Sequence, residues 1–271
     1  MVNPIRKYSY YLYSIFRLLG GIREWPEVVR VFLGVVEPST RQIHIRKTGV
    51  VFKVRGTMDI WSVKETFLDR IYEKYGGRVG DGWNIIDIGA GIGEFTLFAA
   101  FGHPLNHVFA FEPFDESYNL LQENLRLNNA GNAQVFPEAI GSETGSIALD
   151  LSGSEPLQLQ SHQLVAPELM KNIRVVPCLS LADAFDRLKL EYCDLLKLDC
   201  EGAEYPILMN ASQTVLRRIH RIIMEYHDRA GCYTHTDLET FLIANGFRVC
   251  THPNFVHADL GYLYAELFAT Q

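Results

Sequence analysis

The spacing of apolar and polar residues divides most of the chain into strands that alternate with helices. Short apolar runs bounded by Gly, Asn or Asp predict strands, and apolar residues that recur every three or four positions predict helices. From residue 84 onward the two patterns alternate, which is typical of a parallel sheet with helices on both faces. The predicted strands are 85–88, 108–111, 133–136, 193–198 and 221–226, and the predicted helices are 92–100, 115–128, 181–188, 207–216 and 236–245.

Two later segments depart from this alternation. The closing strands 247–251 and 261–268 have no helix between them, which favours an antiparallel last strand. Turns rich in Gly, Ser and Pro interrupt residues 141–178 and indicate an inserted β-hairpin region.

The first part of the chain has a different pattern. Residues 42–54 are typical of a hairpin or of short strands, and 59–75 have one continuous helical period. We therefore predict an N-terminal helical and β extension at 1–80, which is a candidate for contact with a substrate or a partner. The α/β domain follows at 81–271.

Composition and charge limit the classes of function. The 271 residues are 48% hydrophobic, which is enough for a sizeable core. A net charge of −7 argues against a nucleic-acid-binding face, because binding to phosphates needs a basic surface. The five cysteines are scattered and show no Cys-x-x-Cys spacing, which is typical of reduced thiols and predicts a cytoplasmic protein.

The N-terminal segment is basic and aromatic. Residues 1–47 hold eight basic and three acidic residues, a net charge of about +5. Residues 8–19 are apolar but too short to span a bilayer, and they lack the small-residue cleavage site of a signal peptide, so no transmembrane segment is expected. Packing on the rest of the chain or on a partner subunit, for example in a homo-oligomer, is the favoured interpretation. Peripheral contact with an anionic membrane is the alternative.

A glycine-rich turn follows the first predicted strand of the α/β part, in the segment NIIDIGAGIGEFT at 84–96. Gly89, Gly91 and Gly93 have no Cβ, so the backbone there can approach a nucleotide-like ligand closely. Glu94 stands where a dinucleotide-binding turn needs a third small residue, and its carboxylate would repel a pyrophosphate. S-adenosylmethionine has no phosphate and carries cationic sulfonium and ammonium groups, so the turn predicts a methyl-donor site.

The next strand ends in a second acidic residue. Glu112, followed by Pro113, lies nineteen residues after Gly93, close to the offset at which an acidic side chain reaches ribose hydroxyls. The alternative is a carboxylate that only stabilises the N-terminus of the following helix.

Two further strand ends carry charged residues. Asp199, Glu201 and Glu204 follow one predicted strand, and Glu225 and His227 end the next. In an open parallel sheet, ligands lie beyond the carboxyl ends of the strands, so we expect these side chains to converge above the glycine turn.

The segments DIGAGIGEFT, FEP, KLDCEGAE and IIMEYHD resemble the FkbM-type family of class I S-adenosylmethionine-dependent methyltransferases, over roughly residues 50–265. The resemblance implies a Rossmann-like, seven-stranded, mostly parallel sheet with an antiparallel last strand. It also implies methyl transfer to a hydroxyl of a sugar, glycan or natural product. By motif position it places the donor against Asp87, Gly89, Ala90, Gly91, Gly93, Glu94, Glu112, Pro113 and Asp199, with the adenine near Glu138 and Ala139.

Methylation of a hydroxyl requires a group that accepts its proton. His227 has an intrinsic pKa suited to a base near neutrality, and Glu201 or Asp199 could orient it or replace it. Alternatively, Asp199 and Glu225 could bind Mg²⁺, which would acidify the hydroxyl. Related metal-dependent methyltransferases have a carboxylate or Asn where Tyr226 stands, so the sequence leaves metal use open.

Structural roles remain an alternative for part of this cluster. Glu204 could pair with Lys197 across the sheet end, and Gly202 could simply permit the turn. Methyltransferases that act on amines carry an Asn-Pro-Pro-Tyr-like turn after this strand. Here the strand that contains Lys197 is followed by Asp-Cys-Glu-Gly, which favours an oxygen atom as the methyl acceptor. An NAD-dependent oxidoreductase or epimerase is disfavoured by Glu94, and a non-catalytic donor- or partner-binding protein of the same fold is the third hypothesis.

Overall fold

The computed structural model describes residues 4–36, 39–150, 157–159, 173–228, 232–254 and 256–268. Its strands lie in three sheets. The bounds of the strands are β1 Arg41–His44, β2 Val51–Val54, β3 Asn84–Ile88, β4 His107–Phe111, β5 Ala133–Phe136, β6 Ala139–Gly141, β7 Gly145–Asp150, β8 Leu157–Leu159, β9 Ile173–Ser180, β10 Leu195–Leu198, β11 Arg221–His227, β12 Phe247–Pro253 and β13 Leu260–Leu267.

The central sheet has seven strands within the described residues, in the order β12-β13-β11-β10-β3-β4-β5. Neighbours from β11 to β5 pair in parallel, whereas β13 pairs antiparallel with both β11 and β12. The chain passes from β12 to β13 without a helix, so the last strand must reverse direction. The carboxyl ends of β3, β4, β10 and β11 therefore meet at one edge of the sheet.

Helices cover both faces of this sheet and cap its N-terminal side. Three of them begin at side-chain caps, of which Ser212 is described below: Ser180 accepts a hydrogen bond from the Asp183 amide, and Thr234 and Asp237 form a capping box. The α-helices are α1 Pro4–Gly21, α2 Trp25–Phe32, α3 Thr57–Val63, α4 Ile71–Gly76, α5 Glu94–Ala100, α6 Asp115–Leu127, α7 Leu181–Leu188, α8 Glu204–Met209, α9 Gln213–Leu216 and α10 His235–Ala244.

The single helix predicted at 59–75 is wrong. It is divided into α3, a π-helical turn at Lys64–Leu68, and α4, with Arg70 in the left-handed region at φ 54°. The cause is the buried amine of Lys64, which lies 2.7 Å from Asp69 Oδ2 and donates to Ser14 Oγ at 2.8 Å. Hydrophobic periodicity does not register such a polar anchor, because the apolar face continues across the break.

The helix predicted at 207–216 is also two helices, α8 and α9. Ser212 interrupts it by capping a new start, since its side chain accepts a hydrogen bond from the Val215 amide.

A small second sheet stands beside the central one. It has the order β6-β9-β7-β8, with β7 paired antiparallel to β8 and β9. Part of the region 141–178, where an inserted hairpin was expected, lies outside the described residues. The described part forms these strands, and their buried Leu149 and Val176 make a separate apolar cluster.

The N-terminal segments pack on the sheet domain. β1 and β2 form the antiparallel ladder that the alternation at 42–54 indicated. Polar contacts tie α1 to the π-helical turn: Tyr10 Oη donates to Glu65 Oε1 at 3.0 Å, and Arg17 Nε lies 3.3 Å from Asp69 Oδ1. None of the helices in the described ranges is both long and apolar enough to cross a bilayer.

Candidate functional site

A cleft of about 450 Å³ opens at the carboxyl ends of β3, β4, β10 and β11. It brings together most of the residues that the sequence singled out. Those that line it are Gly89, Gly91, Glu94, Glu112, Pro113, Ala139, Asp199, Glu201, Glu225 and His227. Asp87, Ala90, Gly93 and Glu138 are not among the lining residues.

The glycine turn is as compact as the sequence predicted. The φ values of Gly89, Gly91 and Gly93 are +70°, +55° and +90°, a region of backbone conformation that residues with a side chain rarely adopt. A Cβ on Gly89 would lie 1.9 Å from the carbonyl oxygen of Asp199. The turn therefore forms a floor where backbone rather than side chains meets a ligand.

Two carboxyl groups face the ligand side of this turn. Glu112 Oε2 accepts a hydrogen bond from the Gly91 amide at 2.8 Å, and Oε1 accepts one from the Phe114 amide at 2.9 Å. Glu94 Oε1 accepts from Ser62 Oγ at 2.6 Å, whereas the buried Oε2 has no hydrogen-bond partner among the described residues. Burial raises the pKa of both Glu94 and Glu112 to about 7.

Asp87 lies behind the glycine turn rather than in the cleft. Its side chain is fully buried, accepts from Thr96 Oγ1 at 2.6 Å, and lies 3.0 Å from Lys197 Nζ. Lys197 also donates to the carbonyl oxygen of Gly89 at 2.8 Å. Burial would lower the pKa of Lys197, but the charges of Asp87, Asp199 and Glu94 raise it, so the amine stays charged. Asp87 and Lys197 thus hold the turn from beneath.

This geometry corrects the alternative in which Lys197 pairs with Glu204. Lys197 lies opposite Asp87 in the β10–β3 register, so its amine meets that carboxylate. Glu204 instead accepts hydrogen bonds from the amides of Cys200 and Gly202, both at 2.7 Å. It thereby holds the tight turn in which Glu201 has a left-handed φ of 54°.

The predicted adenine contacts divide between two environments. Ala139 lines the cleft, whereas the carboxylate of Glu138 pairs with the guanidinium of Arg187. Ile140 and Phe111 add apolar lining on the same side. An apolar wall beside Glu112 suits a flat aromatic base.

The cleft also holds the expected cluster around His227. His227 Nδ1 donates to Glu204 Oε1 at 3.2 Å, and Nε2 lies 3.5 Å from Glu201 Oε2. Asp199 accepts a hydrogen bond from Tyr72 Oη at 3.1 Å. Ligand atoms of Asp199, Glu201 and His227 lie within 4.8 Å of one another, so the three side chains could hold one metal ion.

The protonation state of His227 differs from the sequence-based expectation. Burial lowers its pKa, but the hydrogen bond and charge of Glu204, with Glu201 and Asp199, outweigh that effect and raise the pKa to about 10. The imidazole is therefore protonated at neutral pH, whereas the intrinsic pKa of a histidine alone suggested a base near neutrality. Glu204 keeps a lowered pKa, since the hydrogen bond from His227 overcomes the effect of burial.

Glu225 lines the same cleft, but the pKa of its carboxyl group is raised. Burial, followed by the charge of Asp199, raises the pKa of Glu225 well above its ordinary range. Among the described residues, the group of possible metal ligands within 4.8 Å of one another is Asp199, Glu201 and His227, and Glu225 is not part of it.

Three supporting side chains were not assigned to the site from the sequence: Lys197, Tyr72 and Ser62. Lys197 had a detectable signal, because a charged residue inside the apolar run LLKL needs a buried partner, and Asp87 ends the neighbouring strand. Tyr72 and Ser62 belong to the N-terminal part of the chain, and only the fold brings them to Asp199 and Glu94.

Comparison with known proteins gives the same picture. The family model of the methyltransferase FkbM domain matches residues 87–249, more than half of the chain. Methyltransferase 1 of Beauveria bassiana is 26% identical over 214 residues, which cover 73% of this chain and 84% of that protein. The 31-O-demethyl-FK506 methyltransferase FkbM of Streptomyces tacrolimicus is 27% identical over 214 residues, covering 69% and 80%.

A solved structure supports the fold. The crystal structure of methyltransferase FkbM from Methylobacillus flagellatus matches with a TM-score of 0.50 and 17% identity, over 77% of this chain. This chain spans about half of that one, since the match covers 54% of its length. The prediction of a Rossmann-like, seven-stranded sheet with a reversed last strand is confirmed. The chain belongs to the FkbM family of S-adenosylmethionine-dependent methyltransferases.

Proposed function

We propose that this methyltransferase transfers the methyl group of S-adenosylmethionine to a hydroxyl oxygen of a small molecule or carbohydrate. The observation that carries the proposal is one continuous cleft, which is lined by the glycine turn and Glu112 and also by Asp199, Glu201 and His227. A donor site and a set of proton-handling groups thereby face the same space.

The donor end fits S-adenosylmethionine in its shape and charge. The turn has no room for a Cβ at Gly89, and the buried Glu94 Oε2 still needs a hydrogen-bond donor. An ammonium group would satisfy that oxygen, and ribose hydroxyls would donate to Glu112. The lining carboxylates disfavour a pyrophosphate, which argues against an NAD-dependent oxidoreductase or epimerase.

When bound, the donor supplies a methyl group on a positively charged sulfur. The acceptor hydroxyl must lose its proton as the new carbon–oxygen bond forms. We assign proton acceptance to Glu201 or Asp199, because the protonated His227 lies against Glu201 and orients that carboxylate. Glu204 fixes both His227 and the turn that carries Glu201.

A divalent cation is the alternative way to acidify the hydroxyl. Asp199, Glu201 and His227 offer two carboxylates and an imidazole within 4.8 Å. This mixed donor set suits Mn²⁺ or Zn²⁺ better than Mg²⁺, which prefers oxygen ligands. Binding would have to displace the proton from the imidazole, so metal loading would release protons.

The test is incubation with methyl-labelled donor and extracts of metabolites and glycans, followed by mass spectrometry for a gain of one methyl group. Parallel reactions with and without EDTA separate the two mechanisms. Glu201→Gln should retain S-adenosylhomocysteine binding and lose turnover. His227→Gln should lower turnover, because His227 orients Glu201. His220→Gln is its matched histidine control, because His220 is exposed, pairs with Asp194 and does not line the cleft.

Three results would count against this proposal. Tight donor binding without methylation of any acceptor would favour a non-catalytic binding protein. A methylated amine as the product would keep the enzyme but refute the oxygen acceptor. Retained turnover in Glu201→Gln and in Asp199→Asn would refute both proton-acceptor assignments.

A further inference from the structure

A second cavity adjoins the cleft on its N-terminal side. This N-terminal chamber has a volume of about 610 Å³ and lies between α1, α2 and the start of α3, with residues 254 and 256–257 at its edge. Its size falls in the range of ligand pockets in proteins. The fold of the methyl-donor site does not require such a space.

The walls of the chamber are apolar. Ile15, Leu18 and Leu19 contribute from α1, and Val28 and Val29 from α2. These five side chains are aliphatic, and the polar groups of the lining are few: Tyr10, Tyr11, Thr57, Glu65, Asn254 and His257. A bare carbohydrate would leave many of its hydroxyls unpaired here, at a substantial cost in free energy.

Trp61 lines both the chamber and the cleft. Its ring packs edge-on against Tyr10 and Phe32, with centroids 6.1 and 6.5 Å apart, and its indole nitrogen donates to Glu65 Oε1 at 3.0 Å. The amine of Lys64 lies 4.2 Å from the centroid of the same ring. These contacts hold the Trp61 ring in place.

The two cavities share part of their lining. Met58, Trp61, Glu65, Asn254 and His257 line both the chamber and the cleft. The polar members of this set, Glu65, Asn254 and His257, lie at the junction, whereas the rest of the chamber lining is mostly apolar. A molecule with a polar group at one end and an apolar body would match this sequence of surroundings.

We propose that the N-terminal chamber binds the apolar body of the methyl acceptor and presents its hydroxyl group through the junction to Asp199 and Glu201. The substrate class is then an alcohol with an extended hydrocarbon or polycyclic portion, not a free sugar. This inference rests on the proposed function and narrows its acceptor. In this proposal, α1 and α2 form part of the acceptor-binding site.

Bromoalkanols provide a direct probe, because bromine quenches the fluorescence of a nearby tryptophan. We would titrate the full chain with ω-bromo-1-alkanols of six to twelve carbons, below their aggregation concentrations, and follow quenching of Trp61. The affinity should rise about fourfold per methylene until the chamber is filled. Trp61→Phe should remove the saturable part of the signal and leave that of Trp25 and Trp83.

Two leucines of α1 supply a matched pair of variants. Leu19 lines the chamber, whereas Leu12 is 57% exposed and is not part of its lining. Leu19→Gln should weaken binding of the longest alkanol about tenfold, and Leu12→Gln should leave it unchanged. Unchanged S-adenosylhomocysteine binding in both variants shows that they are folded.

Quenching without dependence on chain length, or an equal effect of Leu19→Gln and Leu12→Gln, would overturn the proposal. Binding of phosphatidylglycerol vesicles without saturable quenching by dissolved alkanol would also overturn it, in favour of a membrane-facing groove. Failure of the proposed function is distinguishable. In that case no methyl group would pass from the labelled donor to any acceptor, whatever the alkanol result.

Discussion

The buried ion pair beneath the glycine turn should control both stability and donor binding. Lys197 Nζ lies 3.0 Å from Asp87 Oδ1, and the two side chains are 1% and 0% exposed. Lys197→Met removes the positive charge and leaves Asp87 buried without its counterion. Breaking a buried pair from one side costs about 3–5 kcal/mol, because the remaining charge cannot reach water.

A second lysine offers a control that differs only in burial. Lys53 Nζ lies 2.7 Å from Glu123 Oε2, but these side chains are 32% and 38% exposed. Lys53→Met should cost about 0–1 kcal/mol, since water screens the pair and replaces it. The two variants thus remove the same chemical group at a similar distance from a carboxylate.

Calorimetry of thermal unfolding measures the difference in stability between Lys197→Met and Lys53→Met. Lys197→Met should lower Tm by roughly 6–20 °C, and Lys53→Met by about 4 °C at most. Asp87→Asn added to Lys197→Met should restore part of the loss, because the unpaired charge disappears. Donor binding should stay weak in the double variant, since nothing then holds the Gly89 carbonyl. Equal losses of Tm in Lys197→Met and Lys53→Met would refute this reasoning.

Three further predictions concern pH and the glycine turn. S-adenosylhomocysteine affinity should fall as pH drops from 8 to 6, because Glu112, with a pKa of about 7, must be ionised to accept hydrogen bonds from the ribose hydroxyls. Calorimetry should show this fall, and the affinity of Glu112→Gln should depend less on pH. The pKa of His227 rises from 6.5 to about 10 on folding, so its stabilisation is complete below pH 6.5 and is lost as pH rises towards 10. Tm should therefore decline more steeply between pH 7 and 8.5 in the parent than in His227→Gln, and equal slopes would contradict the raised pKa. Gly89→Ala should abolish S-adenosylhomocysteine binding, because its Cβ would lie 1.9 Å from the carbonyl oxygen of Asp199. Gly82→Ala, which has a similar φ of +74° but open space around its Cβ, should bind normally in the same assay.

Local sequence patterns were sufficient for the sheet domain. The apolar runs and the glycine turn predicted the strands, because a buried parallel strand must be apolar and the turn must lack Cβ atoms. The missing helix before the last strand predicted its reversal, which β13 shows. The family motifs likewise predicted the ends of β3, β4, β10 and β11 as the place of the cleft.

Sequence patterns within one segment did not predict the features that depend on contacts between residues far apart in the chain. The helical period at 59–75 did not reveal the π-helical turn, because Lys64 is held by Ser14 and Asp69. The residue type at position 227 did not predict the charge of the imidazole, because the pKa of His227 depends on its contacts with Glu204 and Glu201.

The sequence by itself thus determined the order of the elements, the donor-binding turn and the family, since each is encoded in residues close together along the chain. Only the tertiary structure decided which charges are paired, that the pKa of Glu225 is raised, and that α1 and α2 line an apolar cavity beside the cleft. Ion pairing, pKa and cavity lining depend on distances and burial between segments far apart in sequence, and these exist only after the chain has folded.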